Sequence, residues 1–273
     1  MKLYLLLSVA FVNPITCSEE RNVTVNDTPA PPVSVDDIRP PANFTIEQKS
    51  SFAHFLGNIP LKKDNTVYLY DGRKKANQAA HYAVLDVSVG NKDLQQCADA
   101  IMRLRADWLF QRKQFDAIEF VTNSGVVLNF GKWLEGQRFR LEKNKLVAYR
   151  ASSRPGLSKA FDLYLEFVFS YCGTASLGSS LKAKRLAQIT AGDVFLEPGS
   201  PGHAVIVMAT ATDSKGNKLY LLAQSYMPAQ DIHILKNPSN RALSPWYRVD
   251  ETSAIVTPEW TFNREQLFGW KKN

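Results

Sequence analysis

The sequence has few of the residues from which metal sites and disulfide frameworks are built. Its 273 residues include 3 cysteines and 4 histidines. The histidines show no ligand spacing with each other or with a carboxylate, so we expect no zinc site, and nothing indicates a cofactor. A hydrophobic content of 45% predicts that a core forms without metal or disulfide support.

Motifs that would mark several function classes are also missing. The net charge is +7, but the basic residues occur in short, interrupted groups without helix-turn-helix or zinc-finger spacing. We therefore expect no nucleic-acid partner. Ser225 lacks the Gly-x-Ser-x-Gly context of many serine hydrolases, and no glycine-rich phosphate loop is present.

The N-terminus has the pattern of an export signal. Residues 3–12 are apolar apart from Ser8, a run too short for a bilayer span but typical of a signal peptide. The residues before Cys17 resemble a bacterial lipobox, and an acidic pair follows it. We interpret residues 1–17 as a lipoprotein signal segment with Cys17 as the lipidated residue, which predicts a location in the cell envelope, periplasmic or surface-exposed. Plain signal cleavage nearby is the alternative.

The remaining chain divides into a tether and one domain. Residues 18–43 are rich in Pro, Asp, Asn and Thr, a composition typical of disordered linkers. Residues 44–273 are predicted to form a single globular domain. The spacing of apolar residues predicts two helices, at 94–112 and 159–172. It also predicts strands at 66–70, 81–89, 117–122, 126–129, 146–151, 193–196, 204–212 and 219–222.

The order of these elements predicts the fold class. Helices fall mostly in the first half and paired strands in the second, which favours an α+β fold with an antiparallel sheet packed against helices. Asp93 has the character of a helix N-cap, and Gly173 that of a left-handed helix end.

The segment 192–207 carries the most specific local pattern. A strand begins with Gly192-Asp193, a glycine-rich turn follows, and His203 opens a hydrophobic strand. This pattern resembles papain-like cell-wall peptidases and amidases that depend on cysteine and histidine. The resemblance implies a papain-like fold in which His203 is the general base and the cysteine nucleophile lies upstream at the start of a helix.

Three residues are candidates for that chemistry. Cys97 lies upstream on a predicted helix, whereas Cys172 ends an apolar helix, where the dipole opposes a thiolate. Gln224, on the strand after the histidine strand, could orient the imidazole. The alternatives are a Cys97 packed in the core, a His203 that is a capping or core residue, and a Gln224 that is a satisfied core amide.

A second set of residues is typical of binding rather than catalysis. Aromatic rings and polar side chains of the kind that hold sugars or peptides occur in two stretches, and the candidates are Arg138, Tyr226, Gln230 and Trp246, with Trp133, Gly136 and Tyr247 nearby. The alternative is that the aromatic residues belong to the core.

Most of the mature chain is similar to one bacterial family. The matching stretches are 96–99, 103–106, 171–174, 192–207, 222–230 and 244–247, and they resemble the family catalogued as domain of unknown function 4846. This resemblance implies no established activity. Two hypotheses follow: an envelope protein that binds a polymer, peptide or protein partner, and a papain-like thiol hydrolase that uses Cys97, His203 and Gln224.

Overall fold

The computed structural model describes residues 31–47 and 50–272. The α-helices in these residues are α1 (Ser51–Gly57), α2 (Cys97–Gln111), α3 (Phe130–Leu134), α4 (Leu157–Tyr171) and α5 (Thr174–Leu177). The strands are β1 (Phe44–Ile46), β2 (His81–Val84), β3 (Glu119–Val121), β4 (Val127–Asn129), β5 (Gln137–Glu142), β6 (Lys145–Arg150), β7 (Leu181–Ala183), β8 (Val194–Glu197), β9 (His203–Asp213), β10 (Lys218–Gln224), β11 (His233–Leu235), β12 (Tyr247–Arg248), β13 (Ile255–Val256), β14 (Thr261–Phe262) and β15 (Leu267–Trp270). Among the described residues, no helix has both the length and the apolar character needed to cross a membrane.

One large antiparallel sheet organises the molecule. Seven strands follow the order β2-β11-β10-β9-β8-β15-β7, while β1 pairs with β9 and β12 pairs with β10. The pairs β3-β4, β5-β6 and β13-β14 stand outside this sheet. Because all these pairings are antiparallel and helices pack on the sheet, the predicted α+β class is confirmed.

Strand β9 separates two hydrophobic cores. Alternate side chains of a strand point to opposite faces of the sheet. Ala204 and Ile206 belong to the core on the helix side, whereas Val205 and Val207 belong to a second core that includes Phe262 of the C-terminal segment. The sheet is therefore covered on both faces, by helices on one and by the C-terminal segment on the other.

The two long helices bury the faces that their sequences predict. In α2, Ile101, Leu104 and Trp108 are at most 6% exposed, and this stripe faces β9. In α4, Tyr164 is fully buried, and its hydroxyl donates a hydrogen bond to the Leu128 carbonyl at 2.9 Å. The apolar residues that recur every three or four positions are thus the ones that are buried.

The folded part begins earlier than the predicted boundary at residue 44. Residues 32–273 form one compact unit, in which Val35 is 0% and Ile38 is 2% exposed. Although prolines dominate this stretch, two well-spaced apolar side chains are enough to bind it to the core. The proposed signal segment, Cys17 and residues 18–30 of the predicted tether lie outside the described residues.

Three predicted local details are wrong. Helix α2 begins at Cys97 with Gln96 as its N-cap, because the Asp93 carboxylate accepts a hydrogen bond from the Ala229 amide at 2.7 Å instead of capping the helix. Gly173 has an extended backbone. Residues 66–70 form only isolated bridges rather than a strand.

Candidate functional site

His203 and Gln224 are in direct contact at one end of two adjacent strands. His203 is the first residue of β9 and Gln224 is the last residue of β10. The ring Nε2 of His203 lies 2.8 Å from Oε1 of Gln224, and each side chain is 1% exposed. The two residues that the sequence proposed as base and orienter are therefore hydrogen-bonded.

The partners of Gln224 determine which nitrogen of His203 carries the proton. The Gln224 amide donates from Nε2 to the Glu259 carboxylate at 2.7 Å, so its Oε1 must face the imidazole. An amide oxygen can only accept, which makes Nε2 of His203 the donor. Nδ1 of the neutral ring is left without a proton. Lys75 pairs with Glu259 at 2.6 Å and completes a buried chain of four side chains.

Aromatic rings surround the imidazole. The ring centroids of Tyr226, Trp260 and Phe262 lie 4.9, 5.3 and 5.9 Å from that of His203. Burial among these rings lowers the pKa of His203 to about 4, although the Gln224 hydrogen bond and the Glu259 charge act in the opposite direction. The imidazole is therefore neutral near pH 7.

Cys97 lies at the N-terminal end of α2 and lines a surface cleft. It is the first residue of that helix and is 7% exposed. The cleft has a volume of about 400 Å³ and is bordered by the turn 199–202 on one side and by Cys172 on another. Burial raises the pKa of the Cys97 thiol, while the backbone amides of Ala98 and Ala204 lower it in part.

The thiol and the imidazole approach from opposite faces of the sheet. The Ala204 amide that lowers the pKa of Cys97 belongs to the residue directly after His203. Ala204 points into the helix-side core, whereas the His203 ring stacks on Phe262 of the other core. In the part of the chain that the structure describes, no hydrogen bond joins Cys97 to His203.

Asp99 and Cys172 share the cleft with Cys97. Asp99 is 6% exposed; its Oδ2 accepts the Gln96 amide at 3.1 Å, and its buried Oδ1 has no hydrogen-bond partner. Burial raises the pKa of Asp99 well above its usual range. Burial, assisted by the Asp99 charge, raises the pKa of Cys172 to about 12. Both cysteines are free thiols in the structure, and neither environment favours a thiolate at rest.

The four proposed binding residues do not form one cluster. Tyr226 borders His203. Arg138 donates to the Trp133 carbonyl at 2.6 Å and lies over the Trp133 ring. Gln230 is 1% exposed, and so is Trp246, which is packed in the helix-side core. Of the four, only Tyr226 lies beside the residues proposed for catalysis.

Three residues that complete the site are not marked by any sequence pattern. Glu259, Lys75 and Trp260 are distant from His203 along the chain and belong to no motif identified there. Their roles depend on the C-terminal segment folding over the second face of the sheet. A covariation signal or a structure is needed to find such partners.

Among residues 31–47 and 50–272, no group of three or more His, Cys, Asp or Glu side chains is arranged to hold an ion.

Comparison with known proteins gives a family but no activity. A family model described as "Domain of unknown function (4846)" matches residues 35–268. The chain belongs to this family. No curated protein and no solved structure matches the chain significantly. The family match begins at Val35, in agreement with the early start of the folded part.

Proposed function

We propose that the protein is a thiol hydrolase that cleaves peptide or amide bonds in cell-envelope material, with Cys97 as nucleophile, His203 as general base and Gln224 as the residue that positions the ring. The observation that carries the proposal is the hydrogen bond from His203 Nε2 to Gln224 Oε1 at 2.8 Å. It leaves Nδ1 as the proton acceptor, on the residue directly before Ala204, whose amide lowers the pKa of the Cys97 thiol.

In this reaction, one proton moves from the Cys97 thiol to His203 and then from His203 to the leaving amine. Nδ1 of His203 accepts the thiol proton as the Cys97 sulfur attacks the carbonyl carbon, and the imidazolium then donates that proton to the departing amine. Water hydrolyses the resulting thioester by the same route. The first amides of α2 have no intrahelical acceptor, so this end of the helix favours negative charge on the carbonyl oxygen.

The resting site must close before the proton moves. Burial favours the neutral forms of both the Cys97 thiol and the His203 ring, and the two groups are not hydrogen-bonded. Catalytic hydrogen bonds are often long in a free enzyme and tighten when substrate binds. His203 is the first residue of β9, so its ring lies at the end of the sheet. In this proposal, a substrate in the cleft displaces the turn 199–202 and the Tyr226 ring, and Nδ1 and Sγ then meet around that end of the strand.

The test is the release of amines from defined amide substrates. Purified protein is incubated with muropeptides from digested cell wall and, separately, with casein peptides, and new amino termini are identified by mass spectrometry. We expect cleavage by the parent and by Cys172→Ala, which removes the other thiol of the cleft, but none by Cys97→Ala. Equal product with Cys97→Ala, or none with the parent on either substrate, contradicts the hydrolase.

A second candidate function is binding without turnover. The observation that favours it is that burial raises the pKa of Cys97 and lowers that of His203 to about 4, so that an ion pair does not form at rest. In this case the cleft holds an envelope polymer, a peptide or a protein partner. The same muropeptides should then protect Cys97 from alkylation without being cleaved.

We also propose that the protein is exported and anchored to a bacterial membrane through a lipid on Cys17. Support comes from the apolar run 3–12 and the lipobox-like residues before Cys17. Metabolic labelling with a fatty-acid probe should mark the parent, and Cys17→Ala should abolish the label and release the protein into the soluble fraction. Unchanged labelling of the variant contradicts the anchor.

A further inference from the structure

The hairpin of β5 and β6 stands apart from the main sheet. Its six residue pairs run from Gln137–Arg150 to Glu142–Lys145, and the two strands pair only with each other. At its base, Phe139 stacks on Phe167 of α4 at a centroid distance of 5.9 Å, whereas residues 140–145 are exposed. The hairpin is therefore fixed at one end and projects into solvent at the other.

The hairpin carries a large share of the positive charge. Residues 137–150 contain five basic residues and one acidic residue, a net charge of +4, in a chain whose net charge is +7. The acidic residue, Glu142, is paired with Arg140 at 2.5 Å. Lys143 and Lys145 are exposed at the tip, and Arg150 is exposed at the base, where it pairs with Gln137.

Apolar side chains are exposed on the same hairpin. Leu141 is 56%, Tyr149 is 41% and Val147 is 37% exposed. A solvated hairpin needs none of these, since exposed positions of a two-stranded ribbon are readily occupied by polar residues. Of these, Leu141 belongs to the tip with Lys143 and Lys145, and a tip that combines a large apolar side chain with cationic ones is typical of surfaces that enter a lipid headgroup layer.

The turn provides an independent indication. Lys143 and Asn144 have φ of 46° and 62°, the two left-handed positions of a tight hairpin turn, where glycine and asparagine are favoured. A lysine at the first position is conformationally unfavourable. Its presence there places a positive charge at the outermost point of the hairpin.

We propose that the β5–β6 hairpin docks on the surface of an anionic lipid bilayer, with Lys143 and Lys145 at the headgroup phosphates and Leu141 inserted between headgroups. A soluble polyanion would use the same charges, but it would gain nothing from an exposed leucine. The apolar side chains therefore favour the bilayer. This contact is separate from any lipid on Cys17 and from the chemistry at Cys97.

Vesicle binding of residues 32–273, the compact unit that holds both cores, tests the proposal without the N-terminal segment. We expect binding to phosphatidylcholine vesicles that contain phosphatidylglycerol, and none to vesicles of phosphatidylcholine alone. Each basic residue at an anionic surface contributes about fivefold to affinity, so Lys143→Gly with Lys145→Ser should weaken binding roughly 30-fold. Because glycine suits the turn, this variant should melt no lower than the parent.

Two further variants distinguish the sources of binding. Lys215→Ser with Lys236→Ser neutralises two exposed lysines elsewhere and should change affinity less than about threefold if the hairpin is the site. Leu141→Ser should weaken vesicle binding but leave binding to inorganic polyphosphate unchanged. The proposal is overturned if the two lysine variants weaken binding equally, if Leu141→Ser has no effect on vesicle binding, or if the parent does not bind the anionic vesicles.

Discussion

The protonation of His203 is determined by residues that do not touch its reactive nitrogen. Lys75 holds Glu259, Glu259 accepts from the amide of Gln224, and the oxygen of that amide accepts from Nε2. A change at any of these positions therefore acts on Nδ1 through the orientation of the ring. Such fully satisfied networks fix one arrangement, because every alternative leaves a buried polar atom unpaired.

At the residue scale, the low pKa of His203 predicts a pH-dependent stability. Its pKa in the folded protein is about 4, against 6.5 for an unperturbed histidine, so folding favours the neutral ring. This contribution is fully present above pH 6.5 and is lost as the pH falls through 4; its size is about 3 kcal/mol as an order of magnitude. Urea denaturation at pH 7 and pH 4 should show a smaller acid loss for His203→Gln than for the parent.

Asp99 provides the matched comparison, because its pKa shifts in the opposite direction to that of His203. Burial raises the pKa of Asp99, so its contribution is present below pH 3.8 and is lost as the pH rises. Asp99→Asn should therefore gain stability relative to the parent as the pH rises from 4 to 7. An acid loss in His203→Gln as large as that of the parent would show that the ring is not the group that titrates.

The site residues that can be predicted from the sequence are those that lie close to one another along the chain. His203 and Gln224 belong to adjacent strands whose turn and hydrophobic pattern are visible in the sequence, and their contact was anticipated. Glu259 and Lys75 are far from His203 along the chain, so no local sequence pattern marks them. Trp246 was proposed for binding because exposed and buried indoles look alike in a sequence, yet its ring is 1% exposed.

At the element scale, helix interiors were predictable and helix ends were not. Apolar periodicity reports burial over several turns, as in α2 and α4. An end is determined by whichever group satisfies the last free amides or carbonyls, and that group can be distant. Asp93 is bonded to Ala229, and the carbonyl of Tyr171 accepts the Asn123 amide where α4 ends.

The attachment of α4 to the β3-β4 pair gives a prediction for that element. Tyr164 is 0% exposed, and its hydroxyl donates to the Leu128 carbonyl. Tyr164→Phe keeps the ring but removes the hydroxyl's hydrogen bond to that carbonyl, which should cost about 0.5–1.5 kcal/mol. The exposed Tyr149 is the control, since Tyr149→Phe should change the free energy of unfolding by less than about 0.5 kcal/mol. Equal effects of the two substitutions in urea denaturation would contradict this assignment.

At the scale of the whole molecule, the N-terminal boundary has consequences for stability. The composition of residues 18–43 predicted a tether, but Val35 and Ile38 are in the helix-side core, and the Arg39 carbonyl accepts the Trp246 indole N–H at 3.2 Å. Composition averages over a stretch, whereas two apolar residues are sufficient to attach it.

A chain that starts at residue 44 should therefore be less stable than one that starts at residue 32. Burial of Val35 and Ile38 contributes about 1.5–3 kcal/mol for each side chain, so the shorter chain should lose several kcal/mol and melt clearly lower. Calorimetry of the two chains measures the difference. Equal melting temperatures would mean that residues 32–43 are a tether after all.

If His203 is the base for the Cys97 thiol, the rate at which iodoacetamide alkylates Cys97 depends on the imidazole, because alkylation proceeds through the closed form of the site. Peptide mass spectrometry separates Cys97 from Cys172, and the thermal midpoint of each protein is measured alongside. We expect His203→Ala to slow alkylation of Cys97 by at least roughly tenfold, with Cys172 unchanged and the fold retained; exposed His54→Ala is the control. Equal alkylation rates of Cys97 in the parent and in His203→Ala, with a lower thermal midpoint for the variant, would show that His203 is structural and would contradict the hydrolase.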